Sequence, residues 1–115
     1  MDALSSLQTL EELYLSFNDL TVIQGLDSNT RLRTLDISNN RIAHLTNLRH
    51  LKQLEEFWAN SNLLDSFQEV EEELGGLENL HTVYFEHNPL QKNAGATYRN
   101  KVRLCLKGIK QIDAT

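Results

Sequence analysis

The residues able to do chemistry in this chain are four histidines, one cysteine, sixteen carboxylates and a few aromatics. Their spacing decides which chemistry is open. His44 and His50 are six apart, as are His81 and His87. Neither pair has the i, i+4 spacing of a helical zinc motif, and no cysteine pair accompanies them, so they read as surface histidines and no metal or other cofactor is expected. Cys105 lies between Leu104 and Leu106 with no histidine placed beside it by local spacing, which suits a packing residue rather than a nucleophile. Glu11-Glu12 and Glu55-Glu56 alternate between faces of an extended chain and make no acid/base pair. A glycine-rich phosphate loop and a nucleophile elbow are both missing from the sequence. No catalytic residue is expected. What remains is recognition chemistry. Tyr14, Asp36, Trp58 and Tyr84 recur at spacings of 22, 22 and 26, with Glu12, Glu56 and Glu86 two positions away on their own segments.

That spacing belongs to the whole chain. Asn18, Asn40, Asn62 and Asn88 recur at the same intervals. Apolar columns keep step with them. Leu15, Ile37, Ala59 and Phe85 stand three before each asparagine, and Leu13, Leu35, Phe57 and Val83 five before. Leu10, Leu32, Leu54 and Leu80 stand eight before, Leu4, Leu26, Leu48 and Leu74 fourteen before, and Leu20, Ile42, Leu64 and Leu90 two after. The pattern L-x-x-L-x-L-x-x-N-x-L reads as a leucine-rich repeat. Its x-L-x-L-x core has period two, which predicts short strands near Glu12–Leu15, Thr34–Ile37, Glu56–Ala59 and Thr82–Phe85. Each coil can bury its leucines only against the next. The four asparagines are expected to form a ladder of amide bonds between coils, the alternative being solvated loop positions.

The expected architecture is α/β: a solenoid of about four 22-residue coils with a parallel concave sheet and a C-terminal helical cap. The coils fall near residues 4–25, 26–47, 48–73 and 74–90, with the cap over 91–115. Four extra residues lie between about Gln68 and Glu73 and predict a short acidic helix bulging from the convex face or edge, with the Glu69–Glu73 run a solvated face. In the cap, Pro89 interrupts strand continuation. Ala96–Lys107 has helical periodicity, with Tyr98, Val102, Cys105, Leu106 and Ile109 on one face and Gly108 as the stop. Ile109 and Ile112 extend the cover as a last strand-like segment. Met1-Asp2-Ala3 cannot mask Leu4, Leu7 and Leu10, so the chain is expected to be a piece of a longer array or to self-associate through that first coil.

Composition narrows the partners. The chain has 115 residues and a net charge of −5. Six of its eleven basic residues lie in 91–115, so residues 1–90 carry five basic and fifteen acidic groups, a net of −10. Such a body argues against nucleic acid, leaving only the basic last 25 residues open to it. No run of about 18 apolar residues exists to span a membrane, no secretory leader is visible, and a lone cysteine suits a reducing compartment.

On the concave side three rows are expected: Glu12, Thr34, Glu56, Thr82; then Tyr14, Asp36, Trp58, Tyr84; then Ser16, Ser38, Asn60, Glu86. Three aromatics in the middle row, about 15 Å long, ringed by carboxylates, point to a protein partner with basic or donor groups. Plain cross-strand stabilisation of the sheet is the competing reading.

The Asn88-Pro89-Leu90 tail, with Tyr98-Arg99, Val102 and Ile109-Lys110-Gln111-Ile112-Asp113, resembles the leucine-rich-repeat C-terminal cap. Leu54-Glu55-Glu56-Phe57-Trp58, Asn60-Ser61-Asn62-Leu63-Leu64, Thr82-Val83-Tyr84-Phe85 and Gln111-Ile112-Asp113-Ala114-Thr115 together resemble the leucine-rich-repeat regulatory subunit of protein phosphatase 1, the SDS twenty-two type. The resemblance implies a non-catalytic regulator, nuclear and cytoplasmic, that binds the phosphatase catalytic subunit. It implies contact through Glu56, Trp58 and Tyr84, and more weakly through Tyr14 and Asp36, while Glu12 and Glu86 join the face as acidic neighbours in the concave rows. That family has more coils than are present here. A leucine-rich protein of a splicing particle, which holds an RNA-binding partner protein, is similar in repeat length and cap.

Overall fold

The computed structural model describes residues 8–114. Four coils and a cap stack in order. The strands β1 (Glu12–Tyr14), β2 (Thr34–Asp36), β3 (Glu56–Trp58), β4 (Thr82–Tyr84) and β5 (Gln111–Ile112) form one parallel sheet in sequence order. Leu13, Leu35, Phe57, Val83 and Ile112 pair across it and point into the core. Apart from the inserted segment and the cap, the opposite side is made of tight turns. Leu51 and Leu54 donate to the carbonyls three residues before them, and so do Leu77 and Leu80. This i→i−3 turning returns the chain to the core every three residues, which is why leucines recur at that interval.

The asparagine ladder is present over three rungs. Asn40, Asn62 and Asn88 are buried. The Oδ1 of Asn40 accepts from Asn18 N and Leu20 N at 2.9 and 3.0 Å. That of Asn88 accepts from Asn62 N and Leu64 N at 3.1 and 3.0 Å. Each Nδ2 donates both within its own coil and to the coil before: Asn62 reaches Ala59 O, Asn60 O and, one coil back, Ile37 O. Asn18 departs from the expectation. It is exposed and keeps only the local bond to Ser16 O, since no coil precedes it among the described residues to supply the other partners. At the other end the Asp113 side chain stands in for a strand carbonyl, its Oδ1 accepting from Phe85 N and Glu86 N at 2.8 and 3.0 Å.

The turn into each rung requires a left-handed residue. Phe17, Asn39, Ser61 and His87 all have φ between 56° and 63°. Asparagine adopts this region readily, whereas a bulky phenylalanine does so at a cost of about 1–2 kcal/mol.

The inserted residues form α1 (Phe67–Leu74), capped by Ser66 Oγ accepting from Glu69 N at 3.2 Å. The expected short acidic helix is present, with Gln68, Glu71 and Glu72 exposed, but the acidic run is not simply a solvated face. Val70 and Leu74 are buried in the core. Glu69 Oε1 accepts from Leu45 N and Glu73 Oε1 from Leu48 N, at 3.2 and 3.0 Å. Glu73 also holds Arg49 at 2.9 Å. A helix spends its backbone groups on itself, so the amides of the coil beneath it need side-chain acceptors, and glutamates at i, i+4 supply them.

The cap contains an unexpected helix. Pro89 opens α2 (Pro89–Ala94) at its first position, where a missing N–H costs nothing, and Gly95 closes it at φ 57°. After a 3-10 turn over Gly95–Thr97, α3 (Tyr98–Cys105) buries Tyr98 and Val102. It ends three residues before Gly108, because Leu106 drops into the core and begins another convex turn, with Ile109 N donating to Leu106 O at 3.0 Å. The cap is thus the start of a fifth coil with two helices inserted. Lys101 Nζ sits 5.6 Å from the Phe67 ring centroid, pinning α3 to α1. Cys105 is half-buried against Phe67 O, and burial raises its thiol pKa, as befits packing rather than reactivity.

Tyr98 OH donates to Asp113 Oδ2 at 2.8 Å. Burial first, then that bond, raises the phenol pKa far above its ordinary value near 10. The folded cap therefore holds Tyr98 neutral. Its contribution is complete below pH ~10 and is lost as pH rises above the value of the unfolded chain.

Two predictions follow from this packing. Leu35→Ala and Asn62→Ala should each lower unfolding stability by about 2–5 kcal/mol, the first through a cavity and the second through unpaired backbone groups; urea unfolding measures both, and an Asn62→Ala loss under ~1 kcal/mol contradicts the ladder. Tyr98→Phe should lower stability at neutral pH by about 1–3 kcal/mol and flatten its fall between pH 9 and 11, checked by unfolding across that range.

Candidate functional site

Strand alternation presents the three expected rows on the concave side, in register. Glu12, Thr34, Glu56 and Thr82 pair in line, as do Tyr14, Asp36, Trp58 and Tyr84. The rows are not equally open. Thr82 and Ser38 are buried, so the first and third rows are partly closed. Tyr14 is 61% exposed, while Asp36, Glu56, Trp58, Tyr84 and Glu86 are half-buried and Glu12 is exposed.

Trp58 is not swallowed by the core. Its indole lies flat on Tyr84, with centroids 3.8 Å apart and planes at 8°. The two rings leave the sheet from adjacent strands, whose natural spacing of about 4.8 Å is close to a stacking distance. The stack is tethered at both sides. Trp58 Nε1 points at Glu56 Oε1 at 3.4 Å, and Tyr84 OH accepts from Gln111 Nε2 at 3.0 Å. Cross-strand stabilisation and a binding face are therefore not exclusive: Tyr84 supports Trp58 from one side, and the indole stays half-buried rather than enclosed in the core.

Asp36 is fixed by its own strand, with Oδ1 accepting from Ser38 N at 2.9 Å and from Ser38 Oγ at 2.6 Å. Tyr14 OH donates to Glu12 Oε1 at 3.0 Å. That bond, with the charges of Glu12, Glu56 and Asp36, raises its hydroxyl pKa. The carboxylates of three strands thus act on one point.

Basic charge is held at the border where the strands begin. Arg33 lies 2.9 Å from Glu55 and 3.5 Å from Glu11, and His81 lies 3.7 Å from Glu55. Arg33 lowers the Glu55 pKa, and Glu55 raises that of Arg33. This column, Glu11–Arg33–Glu55–His81, was not anticipated as a unit, although its spacing of 22, 22 and 26 is legible. It keeps the Arg33 cation beside the acidic face paired, so the face stays negative.

Among the described residues no three His, Cys, Asp or Glu side chains gather as a metal site. His44 pairs with Glu69 at 3.0 Å, and His50 Nε2 lies 2.9 Å from Leu26 O. No helix of the described residues is long and apolar enough to cross a membrane.

The comparisons with known proteins agree with this architecture. The family described as Leucine Rich repeats (2 copies) matches residues 8–51 and 30–72, together more than half of the chain. The protein phosphatase 1 regulatory subunit SDS22 of Schizosaccharomyces pombe is 63% identical over 71 residues, covering 62% of this chain and 21% of its own length. The human protein phosphatase 1 regulatory subunit 7 is 51% identical over 53 residues, 46% of this chain and 14% of its own. This chain therefore spans about a fifth or less of the length of these relatives. Among solved structures, the Drosophila melanogaster SNF/U2A′ complex superposes with a TM-score of 0.82 at 25% identity, over 96% of this chain and 63% of the matched one. With its repeat columns matched by the family and its coils stacked on a parallel sheet, the chain belongs to the leucine-rich repeat family, and is similar within it to regulatory subunits of protein phosphatase 1.

Proposed function

We propose that this chain is a non-catalytic protein-binding module that forms part of a regulatory subunit of protein phosphatase 1 and holds the catalytic subunit on its concave face. On this reading it works inside the cell, in nucleus and cytoplasm. The single observation that supports it most is the Trp58–Tyr84 stack, an open aromatic surface on a sheet otherwise lined by carboxylates and hydroxyls. Folding does not require an indole there, since its neighbours Thr34, Asp36 and Ser38 make an equally regular strand. Interface centres are enriched in tryptophan and tyrosine, and a few such anchors carry most of the binding energy. The identity to SDS22 supports the choice of partner.

The roles within the face follow from position. Trp58 and Tyr84 supply apolar contact area, Glu56 and Asp36 supply charge beside it, and Tyr14, Glu12 and Glu86 lie at the ends. Five short strands give a face about 20 Å across, below the usual size of a stable interface, so affinity must be concentrated in those anchors.

A second reading draws on the likeness to the SNF/U2A′ complex: a scaffold in a splicing particle. The two separate in a pull-down, by recovery of phosphatase catalytic subunit or of small nuclear ribonucleoprotein. Self-association through the first coil is a third, tested by sedimentation at several concentrations.

The phosphatase reading has a direct test. Calorimetric titration against purified catalytic subunit should show Trp58→Ala weakening binding by about 2 kcal/mol or more, roughly 30-fold, while circular dichroism shows the fold kept; equal affinity for wild type and variant overturns the proposed face.

A further inference from the structure

In the middle row one short residue separates two aromatic side chains. Tyr14 and Trp58 hold the same register position two strands apart, with Asp36 between them. At about 4.8 Å per strand, their side chains leave the sheet roughly 9.6 Å apart. Tyr84 occupies one face of the Trp58 indole, which turns the other along the row toward Asp36. Asp36 is short and makes a floor. Its Oδ1 is engaged by Ser38, and no bond to its Oδ2 occurs among the described residues. Glu12 and Glu56 stand beside the two walls, bonded to the Tyr14 hydroxyl and facing the indole N–H. Of the nine concave residues on these three strands, none is a lysine or arginine.

We infer that Tyr14, Asp36 and Trp58 form a slot for one arginine side chain of the partner, its guanidinium lying between the two rings above the Asp36 carboxylate. This rests on the concave-face reading and names the group that the face grips. A cation midway between the rings lies about 5 Å from each, inside the ~6 Å reach of a cation–π contact. A guanidinium is planar and weakly hydrated, stacks on aromatic faces, and can present N–H groups to a carboxylate below it. An ammonium has no plane to fill the gap and gives up its hydration less readily. Three carboxylates surround the slot, so arrival of a cation relieves repulsion already present there. The walls are held before binding, Trp58 by Tyr84 and Tyr14 by Glu12, which limits the ordering that binding must impose.

Trp58 is the one tryptophan of the chain, so it reports on its own slot. The probe is the tripeptide acetyl-Gly-Arg-Gly-amide, with citrulline and lysine counterparts at equal ionic strength, titrated into the full chain while tryptophan emission is followed. Asp36→Asn keeps an acceptor for Ser38 and removes only the charge, and Tyr14→Ala removes an exposed ring, so both variants should fold; circular dichroism checks this. The expected result is a saturable change with the arginine peptide, about tenfold tighter than with citrulline and tighter than with lysine, weakened at least fivefold by either substitution. Equal responses to arginine and citrulline, or indifference to both substitutions, overturn the slot. Titration with phosphatase catalytic subunit separates this from the broader reading. Binding that is lost in Trp58→Ala but within twofold of wild type in Asp36→Asn and Tyr14→Ala keeps the face and overturns the slot. An intact arginine response without catalytic-subunit binding overturns the phosphatase reading and keeps the slot.

Discussion

The buried side-chain amides between coils are the constraint on which the rest of the molecule depends. A coil that leaves its strand turns amides and carbonyls into a packed interior, where each must find a partner. Asn40, Asn62 and Asn88 meet that demand in both directions, accepting from the coil before and donating to carbonyls of both coils. One carbonyl oxygen and one NH2 on a short side chain do what a second strand would otherwise have to do. Since each rung bonds to its neighbour, every coil is laid down at the same height and rotation as the last. The leucine columns meet face to face because of this, and the strands come into register because of it.

The same requirement explains the two places where the repeat is broken. Where α1 replaces an extended convex segment, the coil beneath loses its backbone partners, and Glu69 and Glu73 replace them. Where the stack finishes, Asp113 Oδ1 accepts from Phe85 N and Glu86 N, in place of the carbonyl that the next strand offers in earlier coils. A carboxylate accepts without donating, and acceptors are all that these two amides require. Its second oxygen is used by Tyr98, which ties α3 to the end of the sheet. The cap is therefore joined to the core by polar bonds as well as by Val102, Leu106 and Ile112.

Regular stacking also makes the concave row useful. Parallel strands set side chains of one row at a pitch of about 4.8 Å, near the distance at which flat rings stack. Two adjacent aromatics close up into a rigid pair, and an aromatic separated by one short residue leaves a gap. The spacing of Tyr14, Asp36, Trp58 and Tyr84 thus converts a linear order of residue types into a relief of wall, floor and wall. The charge column at the strand starts pairs Arg33 with Glu55 and Glu11, and the face above it stays acidic.

Residue order alone determined the period, the strands, the buried columns and the three concave rows, because a stacked coil relates each residue only to the one 22 or 26 positions away. That made Trp58 and its neighbours legible as a face before any coordinates. What periodicity could not supply was the behaviour of groups whose partners break the period. Asn18 matches its column and yet forms no rung, because a rung bonds to the coil before it and none precedes Asn18 among the described residues. Glu69 and Glu73 look like solvated acids and are acceptors for amides some 25 residues earlier. Pro89, read as a strand breaker, begins a helix, since the same missing N–H is harmless at a first helical position. The flat stack of Trp58 on Tyr84 was likewise decided in three dimensions: ring orientation depends on tethers from Glu56 and Gln111, and sequence spacing carries no information about a torsion angle.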